Sequence, residues 1–287
     1  MKHIVIDVPD HEVHLYPISD VQVGAVGLAD RQFRQHVEEG IADPLGRFFG
    51  GGDYSDSLSP SNRKVLKAAF IKGELYDTPQ RMYEEAGKRH AAEFLRLVRG
   101  SEGRWDFLLK GHHLNEYQVQ QPDGTYVLRT TDHDIADALG TVYLGEPGEA
   151  IGQALISYRF PARSKGRKRP VFRVYAVHGQ NGGGGWASPL TQLERMSRAF
   201  NAHLYYIAHH HKLVAGATVK LHENPDADTR LLATESRVVS GGSWLRGYMP
   251  DVVTYAEDGL MPPLAIGAPV VYVKSVGDGT FRTRVVI

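Results

Sequence analysis

Residues 204–212 read LYYIAHHHK, and the rest of the chain is best read outward from them. The apolar, aromatic-rich run Leu204 to Ala208 has the composition of a short buried strand. It stops at three adjacent imidazoles, His209, His210 and His211, which have no cheap packing role. Imidazole is the commonest protein ligand for metal ions. Four other stretches repeat the arrangement of an apolar run ending in a loop of Asp, His and Gly. They are YPISDVQ (16–22), FFGGGD (48–53), FLLKGHH (107–113) and VYAVHG (174–179). Each loop alone has a bland reading, because a His after a strand is often merely packed and an Asp before a turn is often a cap. The ordered set carries the inference. In open α/β sheets ligands collect at the carboxyl ends of strands, so Asp20, Gln22, Asp53, His112, His113, His178, His209 and His211 are candidates to converge. Mixed Asp and His ligands suit Mn²⁺, Fe, Zn²⁺ or Ni²⁺ rather than Ca²⁺ or Mg²⁺ alone. Leaving His113 aside, the candidates exceed what one tetrahedral ion needs and fit two ions about 3.5–4 Å apart, bridged by one carboxylate.

Around these runs the periodicity alternates between strand and helix. Residues 29–42 place Phe33, Val37 and Ile41 on one helical face, and 60–72 and 77–99 are two further helical segments. Asp77 or Thr78 is placed to cap the last of these, with Gly100 as its stop. TYVLRTT (125–131) reads as a strand and DHDIADALG (132–140) as a short helix begun by His133 and Asp134. Residues 152–160 and 170–177 are strands around a basic turn, RSKGRKRP. A loop at Gly182 to Gly185 leads into a helix with Ser188 as N-cap and Pro189 at its first position. Strands and turns fill the remainder. Alternating β and α followed by a β-rich end suits a layered α/β fold, with residues 1–287 as one domain free of repeats and linkers.

Composition narrows the chemistry. Of 287 residues, 42% are hydrophobic and 23% charged, ordinary for a soluble globular protein. The absence of cysteine excludes disulfides, thiolate zinc sites and a cysteine nucleophile. No G-x-S-x-G motif offers a serine nucleophile either. Basic and acidic residues number 33 each, so no global field draws the chain to nucleic acid or membranes. A local patch is available in Arg163, Lys165, Arg167, Lys168 and Arg169, either as a solvated turn or as a grip on a polyphosphate backbone. The glycines at 182–185 lack the Lys-Ser/Thr of a P-loop and read as an active-site loop or a plain one. No apolar stretch is long enough to span a bilayer, and the N-terminus is too acidic for a signal peptide, so a cytoplasmic protein is expected.

The ordered loops resemble the calcineurin-like metallophosphoesterase family. Its pattern is D-x-H, G-D, G-N-H-D/E, a His commonly followed by Gly, and G-H-x-H. The matching positions are Asp20-Val21-Gln22, Gly52-Asp53, Gly111-His112-His113, His178-Gly179 and Ala208-His209-His210-His211. SGGSWLRGY and YAEDGLMPPLAIGAP also look like phage-encoded members, which implies a bacterial or phage-infected cytoplasm. The resemblance implies a four-layer α-β-β-α sandwich of two mixed sheets, with the site at the carboxyl ends of the strands. It implies two divalent transition-metal ions, Mn first, with Fe, Zn or Ni as alternatives. Asp20, Gln22, Asp53 and His211 would hold one ion, and Asp53, His112, His178 and His209 the other, Asp53 bridging. A hydroxide between the ions would attack phosphorus in line, and His113 would protonate the leaving alkoxide. His210 would point away from the metals. The substrate implied is a phosphodiester, of a nucleic acid or nucleotide. Three positions depart from the pattern: Gln22 for His, His112 for Asn and Leu114 for the acid after the catalytic His. The last removes a carboxylate that would orient His113, a contact that Glu116 or Asp56 is placed to supply. The competing reading is a scaffold that kept the fold and lost turnover. A metal-dependent amidohydrolase is disfavoured because no early H-x-H pair exists.

Overall fold

In the computed structural model, strands and helices are described for residues 1–57, 66, 69, 76–145, 152–180, 185, 187–223, 231–251, 253–254, 257, 264–277 and 279–287. In chain order the elements are β1 (Lys2–Asp7), β2 (Glu12–Ser19), α1 (Asp30–Ala42), β3 (Gly46–Gly52), α2 (Asp77–Leu97), β4 (Trp105–Leu109), β5 (Glu116–Gln120) and β6 (Tyr126–Thr130). There follow α3 (Thr131–Leu139), β7 (Tyr143–Leu144), β8 (Gln153–Arg159), β9 (Val171–Val177), α4 (Ser188–Ala199) and β10 (Leu204–Ile207). The last are β11 (Leu213–Glu223), β12 (Leu231–Gly241), β13 (Val270–Gly277) and β14 (Thr280–Val286).

Two six-stranded mixed sheets form, in the orders β14-β13-β2-β3-β4-β7 and β1-β8-β9-β10-β12-β11. The five strands that lead into the polar loops are β2, β3, β4, β9 and β10. Within each sheet they are adjacent and parallel, β2 to β3 to β4 and β9 to β10. Parallel neighbours deliver their carboxyl ends to one edge, so all three loops of one sheet and both of the other start from that side.

The layers follow from which face each side chain takes. Along β2, Val13 and Leu15 enter the core between the sheets, while Tyr16 and Ile18 face the helices. Phe33 and Val37 of α1 and Phe94 and Leu97 of α2 cover that outer face. Leu193 of α4 covers the other sheet, against Tyr175, Tyr205 and Ile207. The result is a four-layer α-β-β-α sandwich. Strands buried on both faces must be apolar throughout, which is why these runs lack strand alternation. Phe49 joins the sheets, stacking on Phe107 of its own sheet at 5.1 Å and meeting Tyr206 of the other edge-on at 5.0 Å.

Several local readings shift. Strand β1 pairs in parallel with β8, and β5 forms an antiparallel hairpin with β6; neither is among the strands expected from the sequence. Helix α2 has Tyr76 as N-cap without a side-chain cap bond, so it begins one residue before the position that a cap at Asp77 would set. Helix α4 has Ala187 as N-cap, moving Ser188 and Pro189 one position inward. Helix α3 has a capping box, Thr130 with His133, and stops at left-handed Gly140. The basic turn sits at the start of β9, whereas His178 follows its end. Seven residues of strand separate them, about 23 Å. Arg169 there is held by Asp7 and by the Phe160 carbonyl, and Arg163 by the Ser275 carbonyl. The turn is therefore part of the scaffold at the far end of the strand from the polar loops. The helix expected at 60–72, residues 66 and 69 apart, and Gly182 to Gly184 lie outside the described residues. Among the described residues no helix is long and apolar enough to cross a membrane.

One buried group gives the fold a pH dependence. His36 of α1 lies between the rings of Tyr16 (5.5 Å) and Trp244 (5.2 Å), and its Nε2 has no hydrogen-bond partner. Burial pushes its pKa down to about 4 from 6.5. The unfolded chain thus takes up a proton between pH 6.5 and 4 that the folded chain refuses. Stability from this group is complete above pH 6.5 and is lost as pH falls towards 4, by up to about 3 kcal/mol. Thermal unfolding across that window should show the fall, and His36→Phe should flatten it; an unchanged slope in the variant would remove His36 as the cause.

Candidate metal centre

The loops after β2 and β3 continue side by side beyond the sheet. The Asp20 amide donates to the Gly52 carbonyl at 3.0 Å, Gln22 to Asp53 at 3.1 Å and Val23 to Tyr54 at 3.0 Å. The chain must turn sharply while keeping these bonds. Among the described residues six non-glycine residues have positive φ: Asp20 (50°), Gln22 (49°), Asp53 (55°), His209 (68°), His211 (53°) and Asp251 (63°). Five of them are candidate ligands. Left-handed backbone is uncommon outside glycine and gathers at functional sites.

Asp53 ties three loops together. Its Oδ1 accepts the amides of His112 at 2.6 Å and His113 at 2.8 Å, drawing the loop after β4 onto the loop after β3. Gly111 makes this approach possible: a Cβ there would lie 2.1 Å from Asp53 Oδ1 and 2.2 Å from the Asp53 nitrogen. The second oxygen, Oδ2, faces His178 Nε2 at 3.2 Å. His178 is aimed by its other nitrogen, where Nδ1–H donates to the Gly51 carbonyl at 2.7 Å, so that Nε2 is the nitrogen turned towards Asp53. Asp20 repeats the scheme. Its Oδ2 accepts the His209 amide at 3.0 Å, and its Oδ1 lies 3.6 Å from His211 Nε2. His211 Nδ1 meets Ser243 Oγ at 2.9 Å.

Asp53, His112, His178 and His209 each offer a ligand atom within 4.8 Å of the others'. His112 and His209 approach through their Nδ1 atoms at 3.2 Å. Asp20 and His211 stand beside this group as a pair. Gln22 borders a neighbouring cavity together with His113 and Asp56. His113 is outside the cluster. Its Nδ1 donates to the Ser57 carbonyl at 2.7 Å and has Asp56 Oδ1 at 3.7 Å. Asp56 thus supplies the nearer carboxylate; Glu116 belongs to β5. Leu114 is fully buried, where a carboxylate would lose its hydration. His210 is buried outside the four-ligand cluster, and neither ring nitrogen has a hydrogen-bond partner. Burial and nearby Lys212 push its pKa down to about 4.

The donor set suits a divalent metal ion. Asp20 Oδ1, Asp53 Oδ2 and His178 Nε2 are buried without a hydrogen-bond partner. Such atoms are costly unless something compensates them, and a cation among two carboxylates and imidazole lone pairs does so. The local field favours positive charge. Burial alone would lower the His178 pKa, yet the Asp53 carboxylate outweighs it and pushes it up to about 9. Burial would raise Asp53, and the His178 and His113 imidazoles instead hold it well below the usual carboxylate range. Burial prevails at Asp20, which is raised. His209 is pushed down to about 3 by burial and then by His178 and His112, so it stays neutral and able to ligate.

Sequence reading did not single out Ser243, Ser57 or the Gly51 carbonyl, each of which orients an imidazole. Ser243 lies in SGGSWLRGY, whose only sequence-level signal was its resemblance to phage proteins. Trp244 in the same segment donates its amide to the Asp20 carbonyl at 3.3 Å.

No protein-family model and no curated protein sequence matches the chain. Among solved structures it is similar to vacuolar protein sorting 29 from Cryptosporidium parvum, at 13% identity and a TM-score of 0.33, over 96% of this chain and 98% of that one. It is similar to a predicted phosphoesterase from Streptococcus pneumoniae at 9% identity and a TM-score of 0.33, with the same coverage, 96% and 98%. It is also similar to the calcineurin-like phosphoesterase YfkN from Bacillus subtilis at 8% identity and a TM-score of 0.28, over 96% and 91% of the two chains. These likenesses are distant, and the fold is defined by its own sheet order and layers.

Gly111→Ala tests the Asp53 junction without replacing any candidate ligand residue. The added methyl collides with the Asp53 backbone, which cannot move aside as a flexible side chain would. The loops should separate, with a loss of about 1–3 kcal/mol of stability and of bound metal after loading with Mn²⁺ or Zn²⁺ and dialysis. Elemental analysis beside a thermal melt reads both; undiminished metal in the variant would show that the close approach is not needed.

Proposed function

We propose that this chain is a calcineurin-like metallophosphoesterase that hydrolyses phosphodiester bonds, with nucleotides or nucleic acids as the substrate class. The observation that supports this reading is the four-ligand cluster with orphaned carboxylate oxygens, set beside a histidine that is oriented but not part of it. Asp20, Gln22, Asp53 and His211 would hold one ion, and Asp53, His112, His178 and His209 the second. Mn²⁺ is the ion expected, and Fe, Zn²⁺ and Ni²⁺ share the donor class. Such ions, when bound, supply a nucleophile at neutral pH and neutralise charge on the phosphoryl oxygens.

The remaining work falls to the chain's own residues. Asp53 holds the loops after β3 and β4 in register through its Oδ1, so that donors from both face one point. The carbonyl of Gly51 fixes which His178 nitrogen faces that point. His113 has Nδ1 engaged by the Ser57 carbonyl, which leaves Nε2 to carry the proton to the leaving alkoxide.

The two adjacent histidines separate under mutation. His113→Asn should retain metal and lose turnover by a factor of about 10² to 10⁴ on a dinucleoside phosphate, a poor leaving group. On bis(4-nitrophenyl) phosphate, whose phenolate departs without a proton, the loss should be much smaller. His112→Ala should lose metal and activity on both esters. Hydrolysis by the unmodified protein should vanish with a chelator and return with Mn²⁺. Equal defects of the His113 variant on both esters would reverse the assignment, and metal-loaded protein inert towards every ester would reject the enzyme.

A further inference from the structure

A cavity of about 210 Å³ opens beside the metal centre. It is lined by Gln22, His113 and Asp56 together with the apolar side chains of Val26, Leu245, Val253 and Leu264. Two of these wall residues are largely open to solvent, Val26 at 69% and Val253 at 77% exposure. Apolar side chains lining a concave site together with a few polar groups, here Gln22, Asp56 and His113, are the make-up of a small-ligand pocket. Arg246 also lines the cavity, and its amide donates to the Gly27 carbonyl at 2.8 Å, joining the 245–254 segment to the loop after β2.

The contents are constrained by size, charge and position. Drug-sized pockets begin near about 300 Å³, so this one takes a single ring-bearing residue rather than an oligomer. Asp56 and Arg246 carry opposite charges, so the walls hold no cationic excess for a second phosphate. His113 is part of the lining, so a leaving oxygen protonated by that imidazole would lie at this cavity. An apolar wall suits the face of a flat ring, and the Asp56 carboxylate accepts hydrogen bonds from hydroxyl groups. A nucleoside combines these features.

We propose that this cavity is a leaving-group subsite for a nucleoside, its base against Val26, Leu245, Val253 and Leu264 and its sugar hydroxyls towards Asp56. The assignment rests on the phosphoesterase reading for the direction of the reaction, but nucleoside binding can be measured without any turnover.

The probe is adenosine, titrated calorimetrically into the full chain, with ribose as the control. Adenosine should bind measurably and ribose should not. The double variant Val26→Asp and Val253→Asp changes two exposed side chains, so folding is retained, as a thermal melt would verify. It should weaken adenosine at least tenfold with metal content unchanged. With metal loaded, kcat/KM for a dinucleoside phosphate relative to the methyl ester of the same nucleotide should also drop at least tenfold in the double variant. Absent adenosine binding, equal binding by ribose, or an unaltered ratio of the two esters would overturn the subsite. Active protein that ignores adenosine removes the subsite and keeps the enzyme. Inactive protein whose adenosine affinity follows the two valines keeps a nucleoside site and removes the enzyme.

Discussion

The Asp53 carboxylate is the constraint on which the rest of the site depends. One oxygen accepts two consecutive backbone amides, those of His112 and His113. The other is left facing His178 Nε2. A carboxylate held by two amides cannot swing, so the direction of its free oxygen is set by backbone rather than by a rotamer. Charge-assisted bonds of this kind contribute roughly twice what neutral ones do. Asp20 is held in the same manner through the His209 amide. In the loops after β2 and β3 the carboxylate organises the backbone of another loop with one oxygen and presents the other.

That division needs the two sheets to pack face to face in the right alignment. Phe49 and Tyr206 set it from the core side, and the Tyr206 hydroxyl donates to Ser19 Oγ at 3.0 Å, one residue before Asp20. The aromatic contact that fastens sheet to sheet is thus continuous with the loop that carries Asp20. Replacing such a buried ring by a small side chain removes packing of about 3–5 kcal/mol, and here it would also release the spacing between the Asp20 and His209 loops.

Much of this was legible in the sequence, for a definite reason. Strands buried on both faces leave uninterrupted apolar runs, so the places where polar residues resume are conspicuous; all five runs that end in Asp or His are strands that end there. The layered α/β class followed from the alternation of strands and helices, whereas the α-β-β-α order came from the family resemblance. Strands β1 and β5 went unread because they are short, only partly buried and lead into no Asp- or His-bearing loop of the candidate site, although EYQVQ does alternate. The caps of α2 and α4 were misplaced by one residue because backbone geometry, not a side-chain hydroxyl or carboxylate, terminates them. The basic turn carried a charge signal without a position, and strand direction puts it at the wrong end of β9. Ser243 and Ser57 could not be found at all, since a serine beside an imidazole has no spacing signature when about 30 or more residues separate them.

The left-handed residues explain why the candidate site keeps its shape by backbone means. Each non-glycine residue in that region costs on the order of 1–2 kcal/mol, and five are concentrated at Asp20, Gln22, Asp53, His209 and His211. Asp and His tolerate it better than most residues, so the residue types that ligate metals are also suited to the turn that aims them. The compensation is visible in the loop-to-loop bonds from Asp20, Gln22 and Val23 and in the amides gripped by Asp53 and Asp20. None of these uses the orphaned atoms Asp53 Oδ2, Asp20 Oδ1 and His178 Nε2. The backbone network therefore supports the strain by itself and leaves the ligand atoms free for a cation. An ion entering such a site meets donors already in place and does not have to order the loops. Its binding energy then adds to the folded state instead of being consumed in assembling it.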